Sequence, residues 1–358
     1  MALPGADTSC IQLSFVWTRN DLYLCSDDVR ALATREVLMD AARAAVRAER
    51  DGSVVMPPRL DVDLPTGFLR VMPAAMGEVM GVKVMTLVKG LGNRYLLLLY
   101  SQPSGDLVAL LDAAEITRLR TAATTALAGQ MLAPAGTVRL GLLGSGFEAE
   151  SHLRLLAGLW PLEHVLVYSP TLERRQAFAA RMSEELGVSV VAVECPEDAV
   201  CEAEVSVLAT KATAPVVDGS AFPPGAVVLS IGSTRPDLRE LDRNALARAG
   251  ALLVDDAQQV RRESGDVIDA LGCGALTRDQ IVSMASVDGD AGRLRVDGAR
   301  DLLAFKSVGT AVQDLALATS TLRAAQAEGR GRELGELASL KPFSVSSGNF
   351  PPVSKGAT

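Results

Sequence analysis

Residues 137–153 read Thr-Val-Arg-Leu-Gly-Leu-Leu-Gly-Ser-Gly-Phe-Glu-Ala-Glu-Ser-His-Leu, and this stretch decides the fold. Its apolar first residues form a short predicted strand, which runs directly into Gly144-x-Gly146-x-x-Ala149 and then into a helical pattern. Gly144 permits a tight turn, Gly146 lets backbone N–H groups approach a pyrophosphate, and Ala149 lets the helix lie close to the sheet. The positive end of the helix dipole then faces the phosphates. A second strand at 165–168 completes a βαβ unit, so the pattern predicts a dinucleotide site rather than a glycine-rich turn that binds nothing.

The composition favours helices packed on a parallel sheet and argues against two classes of partner. Of the 358 residues, 48% are hydrophobic and only 4% are aromatic, a profile that suits an α/β protein. The formal net charge is −8 and no block of basic residues occurs, which argues against nucleic acid and against anionic membranes. A small anionic substrate would therefore need locally placed arginine or lysine side chains.

The cysteines and histidines indicate a reduced protein without a metal site. The five cysteines are odd in number and form no Cys-x-x-Cys pair, which predicts free thiols in a reducing compartment. The two histidines, His152 and His164, are expected on the surface of the first βαβ unit.

Met1–Cys10 carries no basic segment, so no export signal is expected, and the apolar run Tyr95–Tyr100 is too short to span a bilayer. The protein is expected to be cytoplasmic.

The pattern along the rest of the chain separates two kinds of architecture. An amphipathic helix is predicted over 26–50, a β-meander over 67–111 and an Ala- and Thr-rich helix over 112–132. After that helix, strands alternate with helices, which predicts a Rossmann-type, doubly wound parallel sheet. Its six predicted strands lie at 138–143, 165–168, 188–193, 205–209, 227–231 and 251–254.

These elements predict the domain boundaries. Residues 131–308 form the predicted dinucleotide-binding domain, and residues 1–130 form the other domain. A final helix over 309–326 is expected to cross back, so that 309–340 completes that first domain. Residues 341–358 are expected to be a flexible tail.

The end of the second strand indicates which dinucleotide binds. An acidic residue that would hold the adenine ribose 2′-OH belongs there, but Ser169 takes its place. Hydroxyls such as that of Thr171, with Arg174 or Arg175, could hold a 2′-phosphate, which favours NADP(H). Glu173 could still reach a ribose, so NAD(H) stays possible.

Four further segments carry a family likeness when they are taken in order around the glycine turn. They are Met-Pro-Pro-Arg at 56–59, Gly-Val-Lys-Val-Met-Thr at 81–86, Ile-Thr-Arg-Leu-Arg-Thr-Ala-Ala at 116–123 and Phe-Lys-Ser-Val-Gly-Thr-Ala-Val-Gln-Asp at 305–314. The ordered set resembles the ornithine cyclodeaminase and mu-crystallin family over about residues 25–325.

This resemblance implies an architecture and a type of chemistry. The implied protein is a homodimer in which a discontinuous α+β domain binds substrate and forms the dimer, with the nicotinamide domain inserted between its parts. Family members reduce imines of α-keto acids, oxidise or form amino acids, or cyclise ornithine or lysine with loss of ammonia. In each case a carboxylate lies next to a carbon–nitrogen bond that accepts or gives hydride.

The resemblance also implies the substrate-binding residues. Arg59 and Arg120 would hold the substrate carboxylate, a role for which planar, permanently charged guanidinium is suited. Lys83, on an inward-facing strand position, would contact the carboxylate or the reacting nitrogen, and burial would lower its pKa. Met72, together with Arg70 and Met85, is expected near the substrate side chain.

The implied cofactor contacts come from several segments. They are Gly144, Ser145, Gly146, Phe147, Glu148 and Ala149 in the turn, Ser169, Thr171 and Arg174 after the second strand, Arg120 and Thr121, Thr210 and Lys211, and Ser307 and Val308. For Lys306, a structural role at a helix start and a ligand contact both stay open.

Two residues depart from the cyclodeaminase pattern. Thr234 stands where those members place an aspartate over the substrate amine; its hydroxyl can hydrogen-bond substrate or hold a water but cannot act as a base near neutral pH. Glu148 replaces the family's glutamine, and a carboxylate is unfavourable beside phosphates unless it points away from them. The Thr234 form is closer to mu-crystallin-type ketimine reductases.

The leading hypothesis is therefore an NAD(P)H-dependent imine reductase that acts on a small α-imino acid, with Lys83 or a water held by Thr234 protonating the nitrogen. The alternatives are an amino-acid dehydrogenase of alanine-dehydrogenase or opine-precursor type, an ornithine cyclodeaminase, and a protein that binds NADP without turnover.

Overall fold

A computed structural model describes residues 21–287 and 301–337. The expectations for Met1–Cys10 and for the tail at 341–358 concern residues outside this part of the chain. The strands of the described residues lie in two sheets.

The first sheet is mixed and holds the predicted meander. Its central strands β4, β5, β6 and β7 pair antiparallel in sequence order, and β7 pairs parallel with β1. Across the described residues the order is β16-β1-β7-β6-β5-β4-β2, with β3 also paired to β4. The bounds are β1 Leu22–Leu24, β2 Val54–Val55, β3 Leu60–Leu64, β4 Gly67–Met76, β5 Val79–Val88, β6 Gly92–Ser101, β7 Leu107–Asp112 and β16 Arg332–Glu333.

The second sheet is parallel throughout its described pairs and confirms the Rossmann-type α/β prediction. Its order is β10-β9-β8-β11-β12-β15-β13-β14. Strand order reverses between β8 and β11, and ligands of such sheets bind at the carboxyl ends beside that reversal. The bounds are β8 Arg139–Leu143, β9 His164–Tyr168, β10 Ser189–Ala192, β11 Val205–Leu208, β12 Val227–Ser230, β13 Ala249–Val254, β14 Ile281–Ser283 and β15 Leu302–Lys306.

All six predicted parallel strands are present, and the described part of the sheet holds two more that were missed, β14 and β15. β14 has only three residues, too few for a pattern to show. β15 reads Leu-Leu-Ala-Phe-Lys, and for its last residue, Lys306, the sequence left a structural role at a helix start and a ligand contact both open. In the structure β15 lies between β12 and β13 in the interior of the sheet, so both its faces are covered and its sequence is apolar rather than alternating.

The helices confirm most of the predicted segments, with one correction. The helix predicted over 26–50 is two helices, because Thr34 has an extended backbone and its side chain caps the second one by accepting from Val37 N at 3.3 Å. The described bounds are α1 Ser26–Leu32, α2 Arg35–Arg50, α3 Ala113–Leu132, α4 Phe147–Ala157, α5 Leu172–Leu186, α6 Pro196–Val200, α7 Arg243–Arg248, α8 Ala257–Glu263, α9 Gly265–Cys273 and α10 Ala311–Glu328. None of these helices combines the length and the apolar character that a membrane span needs.

The last long helix connects the end of the described chain to the first sheet. α10 packs against α2 and α3 and against β4 and β5, and most of its side chains are buried. α3 in turn packs against α4 of the parallel sheet. The site residues of β5, α3 and α10 are thereby gathered next to the glycine turn; the domain boundaries themselves stay a prediction.

Candidate active site

The glycine turn between β8 and α4 has the geometry that a pyrophosphate needs. Gly144 has a φ of +119°, and a Cβ there would lie 2.4 Å from the carbonyl oxygen of Ala209, so only glycine fits. Gly146 is exposed and faces open space. It is the N-cap of α4 and provides no side-chain cap, which leaves the first N–H groups of the helix available to an anion. The turn therefore fits a dinucleotide.

The segment after β9 separates the two arginines that the sequence left open. Arg175 is buried and donates to the carbonyl oxygen of Ser169 at 2.9 Å, so it supports the loop from inside. Ser169 is buried as well, and its hydroxyl lies 2.7 Å from that of Ser145. Thr171 and Arg174 are exposed at the start of α5. They are the residues that a 2′-phosphate could reach.

A buried carboxylate, Glu240, accepts hydrogen bonds from the loops after β11 and β12. Its Oε1 accepts from the backbone N and the hydroxyl of Thr210, at 2.6 and 2.9 Å. Its Oε2 accepts from Gly232 N and Ser230 Oγ, each at 2.7 Å. Lys306 Nζ lies 3.6 Å from the same oxygen. The hydroxyl of Thr210 is therefore engaged within the protein, whereas the next side chain, Lys211, is exposed.

Lys306 is not at a helix start and lies outside the ligand-facing surface. It ends β15, is fully buried, and lies 3.2 Å from Asp266 Oδ2 and 2.8 Å from Ser230 Oγ. Of the two roles left open by the sequence, the structural one fits this environment.

A second buried carboxylate, Asp255, shapes the segment 307–309. It accepts from the hydroxyl of Ser307 at 2.6 Å, from Val308 N at 3.2 Å and from Gly309 N at 2.7 Å. This segment leads directly into α10. The side chain of Ser307 is therefore turned toward Asp255.

A cluster of buried charges forms where β5, α3 and α10 meet. Lys83 Nζ lies 2.6 Å from Asp314 Oδ2, and both side chains are fully buried. Arg120 donates to Asp314 Oδ1 at 2.9 Å and to Gln313 Oε1 at 3.0 Å. Burial lowers the pKa of Lys83 to about 8, although Asp314 opposes this. Burial also disfavours the Asp314 carboxylate, but Lys83 and Arg120 outweigh it and hold its pKa below the ordinary value.

Arg59 lies near Arg120 of the same cluster and contacts the 307–309 segment. One of its nitrogens donates to Gly309 O at 2.6 Å and to Gln259 Oε1 at 2.8 Å, and lies 2.9 Å from Glu263 Oε2. Its Nε is buried without a hydrogen-bond partner. Burial lowers the pKa of Arg59, and the nearby Arg70 and Arg120 add to this effect, while Glu263 opposes it.

The side-chain face next to Lys83 is set by strand register. Lys83 is paired with Met72 across β4 and β5, and Arg70 is paired with Met85, so the four residues lie on one face of the sheet. Met72 is buried, and Arg70 forms a bidentate ion pair with Asp61, at 2.7 and 2.6 Å.

Three further predicted site residues lie on α3, after β12 and at the start of α4. Thr121, on α3, is buried and its hydroxyl donates to the carbonyl oxygen of Thr117 at 2.7 Å. Thr234 is half-buried after β12, and its backbone N donates to Gly232 O at 3.0 Å. Phe147 is exposed, with the guanidinium of Arg118 4.7 Å from its ring centre.

The prediction that both histidines lie on the surface was wrong for His152. It is fully buried; its Nδ1 donates to the carbonyl oxygen of Glu148 at 2.7 Å, and its Nε2 lies 3.1 Å from Thr125 Oγ1. Burial lowers its pKa to about 4, so it is neutral near pH 7. Within residues 21–287 and 301–337, no group of three His, Cys, Asp or Glu side chains is arranged to hold a metal ion.

Glu148, the glutamate of the glycine turn, lies near several positively charged side chains. Glu148 Oε2 is buried and has no hydrogen-bond partner. Its carboxylate is within electrostatic range of Arg120, Arg118 and Lys83. It therefore points toward the cation cluster.

Sequence reasoning missed the acceptors that organise the cluster. They are Asp314 and Gln313 on α10, Asp255, Glu240 and Gln259. A signal existed for Asp314, which is a carboxylate in the first turn of α10 and is followed directly by four apolar residues.

Comparisons with known proteins agree with this geometry. The sequence profile of the ornithine cyclodeaminase/mu-crystallin family matches residues 19–328. The ketimine reductase mu-crystallin of Mus musculus is 32% identical over 295 residues, which cover 78% of this chain and 88% of that protein. A Delta(1)-pyrroline-2-carboxylate reductase of Bacillus cereus is 29% identical over 266 residues, which cover 72% of this chain and 81% of that protein.

A solved structure gives the same result at the level of the fold. Thermococcus litoralis Delta(1)-pyrroline-2-carboxylate reductase, in complex with NADH and L-proline, matches with a TM-score of 0.81 at 28% identity, covering 87% of this chain and 100% of that one. The family resemblance is confirmed. The chain belongs to the ornithine cyclodeaminase/mu-crystallin family.

Proposed function

We propose that this protein is an NAD(P)H-dependent imine (ketimine) reductase that acts on a small α-imino acid. The observation that carries the proposal is the fully buried Lys83–Asp314–Arg120 cluster beside an uncapped phosphate-binding turn. The relatives described above, one named a ketimine reductase and two named Delta(1)-pyrroline-2-carboxylate reductases, support the same reaction type.

The cations of the cluster favour an anionic substrate group. Arg120 and Arg59 both lower the pKa of Lys83 by repulsion, although Asp314 opposes this, so the three positive charges still destabilise one another. A substrate carboxylate placed among them relieves that repulsion. Guanidinium groups can hold a carboxylate bidentately, so Arg59 and Arg120 are its proposed binding residues, and Met72 lies beside its side chain.

Lys83 is proposed to act as an ammonium. With a pKa of about 8 and Asp314 at 2.6 Å, it is mostly charged at pH 7. It can donate a hydrogen bond to the carboxylate or to the reacting nitrogen. The hydroxyl of Thr234 is proposed to hold a water near that nitrogen, a second possible proton source.

The dinucleotide, when bound, supplies the hydride for the imine carbon. The residues proposed to hold it are the turn from Gly144 to Ala149 and the exposed pair Thr171 and Arg174. NADP(H) is the proposed preference, because a hydroxyl and a cation are exposed where an acid would bind an unphosphorylated ribose. NAD(H) stays the alternative, and Glu173 is exposed on the same turn.

The proposed protein is a homodimer. Strand β3 exposes three apolar side chains, Leu60, Val62 and Leu64, with 61%, 45% and 54% of their surface accessible, and such a row on one strand is typical of an interface. Light scattering of the purified protein is expected to give about twice the chain mass of 37.6 kDa.

A screen of imino acids tests the function. Cyclic α-imino acids, and linear imines formed from α-keto acids and amines, are offered with NADPH and with NADH, and the loss of reduced cofactor is followed by absorbance at slightly acidic pH. Oxidation by at least one imine supports the proposal. Reversible reduction of NAD(P)⁺ by one amino acid identifies a dehydrogenase, and ammonia released from ornithine without net redox change identifies a cyclodeaminase. Tight NADPH binding with no turnover on the whole panel contradicts a reductase.

The variant Lys83→Ala separates an enzyme from a binding protein. Loss of turnover with unchanged affinity for the dinucleotide is expected of a reductase.

A further inference from the structure

Glu148 is the one carboxylate of the glycine turn, and its position is unusual. It is the second residue of α4, so its backbone belongs to the proposed phosphate-binding turn. Its Oε2 is nevertheless buried and lacks a hydrogen-bond partner. A buried charge of this kind is costly unless it is paired or takes up a proton.

The cations around Glu148 are already engaged by other groups. From α3, Arg118 is paired with Glu115 and donates to Ser151 Oγ at 2.8 Å, and Arg120 is paired with Asp314. From β5, Lys83 is paired with the same Asp314.

The other elements packed around α4 leave Glu148 in the same situation. From β6, Tyr95 has a pKa that is raised by burial and, to a smaller extent, by the nearby charge of Glu148. Lys211 faces Glu148 from the loop after β11 and is exposed. From α5, Arg181 and Glu185 pair with Glu150 and Arg154 on the outer side of α4, whereas β11 carries no charged residue. Among the described residues, therefore, no cation forms an ion pair with the Glu148 carboxylate.

Binding of the dinucleotide adds negative charge next to this carboxyl group. Burial already raises the pKa of Glu148 to about 7, although Arg120, Arg118 and Lys83 oppose this. A pyrophosphate on the N–H groups of α4 brings anionic oxygens to the same helix terminus. Because like charges disfavour ionisation, the bound cofactor favours the protonated acid.

We propose that Glu148 takes up a proton when the dinucleotide binds, and that the resulting carboxylic acid protonates the substrate nitrogen during imine reduction. In this assignment Lys83 keeps its proton during the step, because Asp314 stabilises its ammonium. The second half of the proposal rests on the proposed reductase function; the first half needs only the cofactor.

The step balances in atoms and electrons. The nicotinamide supplies a hydride to the imine carbon, where a C–H bond forms. The π electrons of the C=N bond move to nitrogen, which takes the proton from a Glu148 carboxyl oxygen. The imine is reduced to an amine, the nicotinamide is oxidised, and the carboxylate regains a proton from solvent.

Proton uptake on cofactor binding is measured first. Titration calorimetry of NADP⁺ binding at pH 7, in two buffers that differ in ionisation enthalpy, gives the number of protons exchanged. The Glu148 group is half ionised at a pKa of about 7, so full protonation takes up about half a proton per site. Glu148→Gln, which keeps the shape without the titration, is expected to lose this uptake. Glu150→Gln, which changes an outward carboxylate of the same helix, is the matched control and is expected to keep it.

The same variants are then compared in single-turnover reduction of an imine that the screen finds active. Loss of a general acid is expected to slow the reaction by about 100-fold in Glu148→Gln, with little change in cofactor affinity. Equal proton uptake by the wild type and Glu148→Gln overturns the first half of the proposal. An unchanged rate in Glu148→Gln overturns the second half and returns the proton to Lys83 or to the water at Thr234. If no imine reacts with the wild type, the proposed function fails, while the calorimetric result still stands by itself.

Discussion

Replacing Asp314 with asparagine tests whether this carboxylate keeps Lys83 charged. The two charged groups approach to 2.6 Å in a fully buried site. At an effective dielectric constant of about 20, unit charges about 4 Å apart attract by about 4 kcal/mol. Loss of that attraction would lower the pKa of Lys83 from about 8 to about 5. The variant would then hold a neutral amine at pH 7.

The expected consequence is a displaced pH profile of kcat/KM for imine reduction. In the wild type, activity should fall as pH rises above about 7, through the pKa values of Glu148 and Lys83. In Asp314→Asn the fall should begin near pH 5, because only about one molecule in 100 carries the ammonium at pH 7. The loss of kcat/KM at pH 7 is therefore about 100-fold. Urea unfolding should show a loss of about 3–5 kcal/mol, since Arg120 remains buried without its carboxylate partner and Lys83 must give up its proton.

Two measurements keep the reasoning open to refutation. Binding of NADP⁺ shows that the variant is folded, because the glycine turn that is proposed to bind the dinucleotide forms only in the folded protein and does not include residue 314. Asp269→Asn is the control, since Asp269 pairs with the largely exposed Arg243 and should cost at most about 1 kcal/mol with no change in the pH profile. A profile for Asp314→Asn that matches the wild type would refute the assigned role of the ion pair.

Three other substitutions have defined outcomes. Arg174→Ala should raise the Kd for NADPH about 10-fold and leave that for NADH unchanged, because only the 2′-phosphate needs the cation; Glu173→Gln is its control, and equal losses for both cofactors would exclude a 2′-phosphate site at Arg174. Arg59→Lys should raise KM for the imino acid at least about 10-fold at constant cofactor affinity, because an ammonium cannot bind a carboxylate bidentately; an unchanged KM would remove Arg59 from the substrate site. Lys306→Met should lower the free energy of unfolding by about 3–5 kcal/mol, since it leaves Glu240 buried without a counter-charge, and a loss below about 1 kcal/mol in urea titration would contradict this.

The sequence allowed the parallel sheet and the glycine turn to be predicted because both depend on local pattern. Glycines at fixed spacing after a strand reflect backbone requirements that are visible in a short window. The helix over 112–132 was equally accessible, with Asp112 as its N-cap in the structure. By contrast, β15 was missed although it is an apolar, buried interior strand like the predicted β11 and β12.

The candidate site was only partly predictable for a different reason. Arg120 and Lys83 could be named from the family segments, but their common acceptor, Asp314, is 194 residues beyond Arg120. Nothing in the local pattern of α10 indicates which element will face that carboxylate. The surroundings of Glu148 could not be predicted on the same ground, since they follow from the packing of α4 against α3 rather than from the turn itself.

The pairing of Lys83 with Asp314 has a consequence for the order in which the protein is assembled. As the chain leaves the ribosome, β5 and α3 are synthesised long before α10. Until α10 docks, the two cations have no carboxylate, so burying them is unfavourable and the first sheet should stay open around them. The parallel sheet needs no such late element for its first four strands, and its nucleotide turn can form earlier. The charged cluster between β5, α3 and α10 should therefore be the last part of the molecule to close.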